Sequence, residues 1–258
     1  MYRLFCSLFL FLFLFLFNIN SLFSQNEINS ELINIKQSFQ SIYYKWDIPL
    51  YNSLNSRINA LIKKYPNNWY LNYYSGFVNL NLGKILYTSD ESKAFNHFDV
   101  AVERFYKTVE INPTAEVLAL LSASYGKKSS LSGLNAIFWG IKSKNRIFEA
   151  NEKDSNNTGV LLTAATHLMH TPKIYGGDKK KALQLLNKAL QINESRKSRD
   201  NLLVDWASNA EIYAYIAQVY VLEKNFSKAE EFIKKALLLE TEYDFVLIDL
   251  RKQIDNLK

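Results

Sequence analysis

The stretch from Ala210 to Glu240, AEIYAYIAQVYVLEKNFSKAEEFIKKALLLE, constrains the chain more than any other. Two helical patterns lie in it, interrupted only at Glu223–Phe226. Tyr213, Ile216, Ala217 and Tyr220 share one face of the first. Ala229, Ile233, Ala236 and Leu237 share one face of the second. Small residues at Ala217, Ala229 and Ala236 let two antiparallel helices approach closely, and the large ones fill the gaps between them. A hairpin of this size cannot bury its apolar face alone, so it requires neighbours stacked on it.

The rest of the chain is read the same way. It has four prolines and eight glycines, and apolar residues recur at spacings of three and four, so the fold class is all-α. Helices are expected over 28–46, from Pro49 to about Lys64, and over 69–86, with Pro66–Asn68 as a turn. The first presents Ile28, Leu32, Ile35, Phe39 and Ile42 on one face, the second Leu50, Leu54, Ile58 and Ile62. Gly76 in the third marks close helix approach. A start at Ser89-Asp90-Glu91 leads to about Ile111, where Pro113 ends the helix. Glu116–Tyr125 begins the next pair, and Gly126–Gly133 reads as a polar loop. Asn135–Asn151 carries Ile137, Phe138, Ile141, Ile147 and Ala150. Gly159–His170 and Lys179–Ile192 follow, then a charged linker at Asn193–Asn201. Glu240–Lys258 forms a final helix with Phe245, Ile248 and a polar tail, a C-terminal cap. The spacing Ala-x3-large-x2-Ala occurs at Ala94-Phe98-Ala101, Ala182-Leu186-Ala189 and Ala229-Ile233-Ala236. The intervals of 88 and 47 residues do not form one regular period of about 34, so the array is irregular.

These three segments, best seen over 90–112, 160–192 and 210–240, resemble the tetratricopeptide (TPR) repeat. The stretch TPKIYGGDKKKAL, with Gly126, Leu131, Ser132, Gly140 and Asp154 before it, resembles the T-component family of TRAP solute transporters and exported repeat proteins of Bacteroidetes. The TPR resemblance implies a right-handed superhelix of about five antiparallel hairpins with a C-terminal cap. It implies a binding role rather than catalysis, and carries no catalytic residues with it. TPR domains that grip a carboxylate place cations on the inner face of first helices. In the best repeat that face is Glu211, Ala214, Gln218 and Val221, without a cation. Partner contact there would be apolar or through amides. Tyr73 and Tyr74, adjacent on one helix, cannot both face one core, so they join the candidates for partner contact.

In the turn before Lys179, Pro172 halts a helix, Gly176 and Gly177 supply backbone freedom, and Asp178 stands at an N-cap position. The glycines lack the spacing of a phosphate loop, so this is a structural turn. His167 and His170 lie one helical turn apart, a spacing that suits a shared metal, but a third ligand is not evident and no metal is assigned. No nucleophile elbow, zincin motif or dinucleotide fingerprint appears, so neither an enzymatic site nor a cofactor is expected.

Arg3 followed by the apolar run Leu4–Phe17 reads as a secretory signal over residues 1–24, cleaved near Ser24. Its 14 residues fall short of the roughly 20 needed to span a bilayer. No stable transmembrane segment is expected after cleavage, and residues 25–258 form one domain. The only cysteine, Cys6, leaves with the signal. The net charge of +6 is dispersed among acidic residues, which argues against nucleic acid as partner. The expectation is an exported scaffold, periplasmic or attached to the outer membrane, with an unnamed protein partner. The alternative is a small-solute accessory of a transporter.

Overall fold

The computed structural model describes residues 27–194 and 201–257. The expected signal over 1–24, with Cys6, and positions 195–200 of the charged linker lie outside them.

Helix α1 covers 27–42. It is followed by α2 (Ile48–Lys64), α3 (Trp69–Leu86), α4 (Glu91–Ile111), α5 (Ala115–Ser130), α6 (Ala136–Lys153), α7 (Thr158–His170), α8 (Lys179–Glu194), α9 (Asn209–Leu222) and α10 (Phe226–Leu239). A π-helical turn, Phe245–Leu250, runs into α11 (Arg251–Leu257). The described residues thus form five hairpins, α1/α2 to α9/α10, and a terminal cap. Most helices start on a side chain that accepts a backbone N–H from the first turn. Asp47, Asn68, Asp90, Thr114, Asn157, Asp178, Ser208 and Asn225 do so. Each such cap is worth about 1 kcal/mol. These polar residues are what set the hairpin boundaries.

The two helices of a hairpin differ in kind. The first helices after α1 are buried over most of their surface: in α3 almost every residue from Leu71 to Ile85 is covered. The second helices bury one narrow stripe. All nine members of the Ala-x3-large-x2-Ala pattern in α4, α8 and α10 are sealed from solvent. Helix α6 repeats the stripe as Ser143-Ile147-Ala150, also buried. Ser143 and Ser122 of α5 bond each other's main chain, Oγ to carbonyl, at 2.8 and 2.9 Å. A serine thus takes the small-residue place, so this fourth copy lacks the leading alanine of the other three. Glycine serves the same close packing between α3 and α4. A Cβ on Gly76 would lie 2.9 Å from the Phe105 ring, and one on Gly83 would collide with the Phe98 ring.

Several expectations are corrected. Helix α1 ends at Ile42 rather than Trp46, because the backbone N–H of Trp46 turns to Asp244 Oδ2 at 2.6 Å. Leu50 is exposed at the start of α2, and Tyr51 takes the inward place. Helix α5 continues through Gly126 to Ser130, so the expected loop at Gly126–Gly133 shrinks to Leu131 and a 3-10 turn at Gly133–Asn135. Ile137, Phe138 and Ile141 point to solvent rather than the core. In the terminal cap the π-helical turn shifts the phase, so Val246, Leu250 and Ile254 are buried while Ile248 is exposed. Of the two adjacent glycines in the α7–α8 turn, only Gly176 has positive φ, at 96°. Gly177 is needed for space, since a Cβ there would strike the carbonyl of Thr171.

The array bends until its two ends meet. Tyr43 Oη donates to Glu211 of α9, and the Tyr44 and Ser208 hydroxyls lie 2.7 Å apart. The N–H of Asp244 donates to the carbonyl of Tyr44 at 3.0 Å, and Lys45 pairs with Glu242 at 2.7 Å.

Candidate functional site

The inner side of the array is formed by the first helices α3, α5, α7 and α9, which run parallel. The N-terminal half of this inner side is filled by the chain itself. The segment 201–208 lies across it, with Val204, Trp206 and Ala207 buried. Trp206 packs its ring on Phe77 at 5.8 Å and covers Gly159, where a Cβ would overlap the indole. Its Nε1–H donates to Glu116 Oε1 at 2.8 Å, which also accepts from Tyr73 Oη at 2.9 Å. The N–H of Val204 donates back to Tyr73 Oη at 3.2 Å, and Tyr74 Oη donates to the Leu202 carbonyl. On α9, Glu211 accepts from Tyr43 Oη and from the N–H of Ala207. Burial and the neighbouring carboxylates raise the Tyr43 and Tyr73 hydroxyls well above the ordinary tyrosine range, so both stay protonated donors.

This arrangement decides the fate of the residues expected to touch a partner. Tyr73, Tyr74, Glu211, Ala214, Gln218 and Val221 are all buried. Tyr73, Tyr74 and Glu211 are held by the chain's own plug and by α1. Ala214 and Val221 pack against α10 and the terminal cap. Adjacent tyrosines escape the one-core limit because α3 is covered on both sides. Only Gln218 still borders the open part of the groove. The turn residues Pro172, Gly176, Gly177 and Asp178 do what a turn requires: Asp178 Oδ1 accepts from the N–H of Lys181 at 3.0 Å, and its own N–H donates to the Leu168 carbonyl.

Toward the C-terminal ends of the same first helices the groove turns polar. Lys84 of α3 acts on Lys127 of α5, Lys127 on His170 of α7, and Gln218 of α9 on His170, with Asp249 of the cap acting on Lys127. Burial lowers the Lys84 ammonium pKa, and Glu211 opposes it. Burial, then repulsion from Lys84, brings Lys127 down to about 8, with Asp249 opposing. Burial and then Lys127 bring His170 down to about 4, with Gln218 opposing. The His170 side chain is open to water yet crowded by protein, as expected on a concave wall. Gln218 lies beside that ring, but its Oε1 is buried without an aligned hydrogen-bond partner. Such an atom leaves a hydrogen bond unmade and available to an incoming donor.

Lys84 and Lys127 were not anticipated. Each stands near the end of its helix, on α3 and α5, and only the fold brings it beside α9. His167 and His170 diverge in surroundings: His167 is lowered by burial and by Lys144, on the α6 side. Among the described residues no group of three His, Cys, Asp or Glu side chains is placed to hold a metal. Nor is any helix among them long and apolar enough to cross a membrane.

One solved structure decides the architecture. A thermophilic TPR protein from Thermus thermophilus superposes with a TM-score of 0.57 at 12% identity, over 85% of this chain and 98% of that one. The fold is TPR-like. MamA is a weaker match, with a TM-score of 0.35 at 16% identity over 75% of this chain and 91% of its own, too low to carry an argument. No protein-family model and no curated protein matches the chain. In this TPR-like array the groove that first helices form is half filled by the chain and half lined by Lys84, Lys127, His170 and Gln218.

Proposed function

We propose that the protein is a non-catalytic interaction scaffold of the cell envelope, exported behind a leader removed near Ser24. Its partner is a protein segment bearing a carboxylate, held in the polar half of the inner groove. The observation that carries this reading is that Lys84 acts on Lys127, Lys127 on His170, and Gln218 on His170, side chains of four successive first helices. Lys84 depresses Lys127, and an anion between the two ammoniums relieves that repulsion. An amide oxygen beside them accepts a backbone N–H of the same segment. The apolar half of the groove is closed, so recognition rests on charge and hydrogen bonds.

The test is affinity capture from envelope extract with the chain from Gln25, comparing wild type with K84E/K127E. Mass spectrometry reads both proteins and co-purified small molecules. A protein bound by wild type and lost from the variant supports the scaffold. Equal capture by both places the interaction elsewhere. The same cations would also suit a small anionic solute, as a transporter accessory resembling the T-component would bind. A stoichiometric small anion without a protein would favour that second reading.

A further inference from the structure

Away from the groove, the molecule exposes large apolar side chains at one edge. Because the first helices run parallel, the connections from first to second helix line up along that edge. The third connection carries Leu134, 103% exposed, and opens α6, where Ile137 is 65% and Phe138 53% exposed. The fourth carries Ile174, 84% exposed, and Tyr175, 62% exposed. Ile141 and Phe148 continue the outward stripe of α6. Monomeric proteins rarely leave such groups together without a use.

The charge around them is mainly positive. Between Glu116 and Glu149 the chain has no acidic residue; of its cations Lys142 and Lys144 stand on α6, whereas Lys128 is buried against Asp99, Arg146 pairs with Glu149 at 2.6 Å and Lys127 belongs to the groove. Between Asp154 and Asp178 it again has none. Lys173, Lys180 and Lys181 stand exposed beside Ile174 and Tyr175. The one acid among them, Asp178, is engaged as the cap of α8. Asp90, Glu91 and Glu223 lie on the flanking second and fifth connections. Lys142 lies over the Phe138 and Trp139 rings at 4.7 and 5.1 Å, so its apolar stem lies along the aromatic surface.

We propose that this edge docks on the surface of an anionic phospholipid bilayer, with Leu134, Ile174 and Tyr175 entering the headgroup region and the lysines facing lipid phosphates. The apolar tips stand on two separate connections, and nothing among the described residues joins them into a groove. A fluid interface accepts separate protruding tips, whereas a folded partner would need a matching set of pockets. Apolar burial and attraction of lysines to anionic lipid act together in such binding. The surface is separate from Lys84 and Lys127 in the groove, so either proposal stands without the other.

The experiment is co-sedimentation of the chain from Gln25 with vesicles of phosphatidylcholine alone or mixed with phosphatidylglycerol. The expected result is binding to the mixed vesicles that weakens with added salt and is absent on phosphatidylcholine alone. I174D/Y175D and K173E/K180E are each expected to lower the binding constant about tenfold or more. I111D, at the opposite edge, and K84E/K127E are expected to bind as wild type. Circular dichroism and Tm check that each variant is folded. Absence of binding to the mixed vesicles, or unchanged binding by folded I174D/Y175D, overturns the proposal. So does self-association that I174D/Y175D abolishes, which would assign the edge to a second copy of the chain.

Discussion

Trp206 shows how much a single side chain outside any helix can hold together. It joins three first helices through Phe77, Glu116 and Gly159. Trp206→Ala should destabilise by about 3–5 kcal/mol, the usual cost of emptying an aromatic site, read as a shift in the urea midpoint. The stripe alanines work in the opposite sense. Ala189 is fully buried, and Ala189→Leu should cost about 1–3 kcal/mol by overpacking, measured in the same way. The histidines set an acid limit. His97, His167 and His170 all have folded pKa values below the ordinary one, chiefly through burial. The unfolded chain therefore takes up protons first as pH falls. For His170, stability declines from near the ordinary value of 6.5 toward about 4 and levels off below that. Denaturant midpoints at pH 7 and 5 should differ in that direction, and H170Q should reduce the difference.

At the scale of elements, Lys127 on α5 gives the groove a pH response. Burial and Lys84 bring its ammonium down to about 8. Affinity for a carboxylate partner should fall as pH rises through that region, and K127M should abolish this dependence in a titration of the captured partner. The element pattern also explains what the sequence disclosed. Caps such as Asp90 and prolines such as Pro113 act locally, so most helix positions were legible from neighbours in the chain. The alanine stripes were legible for the same reason. Helix α6 was legible as a helix but not in orientation. Its strongest apolar face faces solvent, and its buried stripe holds Ser143, which composition marks as polar. In the cap a π-helical turn breaks the 3.6 period, so Ile248 turns outward while Phe245 stays against Tyr215 and Tyr243. The inner groove was least legible. Lys84, Lys127, His170 and Gln218 come from four hairpins of unequal spacing, and Trp206 comes from an irregular connection with no period to read.

Over the whole molecule, the account is of a TPR-like array closed on itself. The meeting of Tyr43 and Tyr44 with Glu211, Ser208 and Tyr243 joins the first hairpin to the last. The segment 201–208 fills the space this closure encloses, leaving only the polar half of the groove open. The measurement that tests this most directly places a photoreactive residue at His170, at Tyr73 or at Leu238 on the outer face, and irradiates the chain in envelope extract. The account predicts a discrete crosslinked protein from position 170 and none from 73 or 238. A crosslink from position 238 alone would contradict it, because the partner would then lie on the outer face and the groove would not be the binding site.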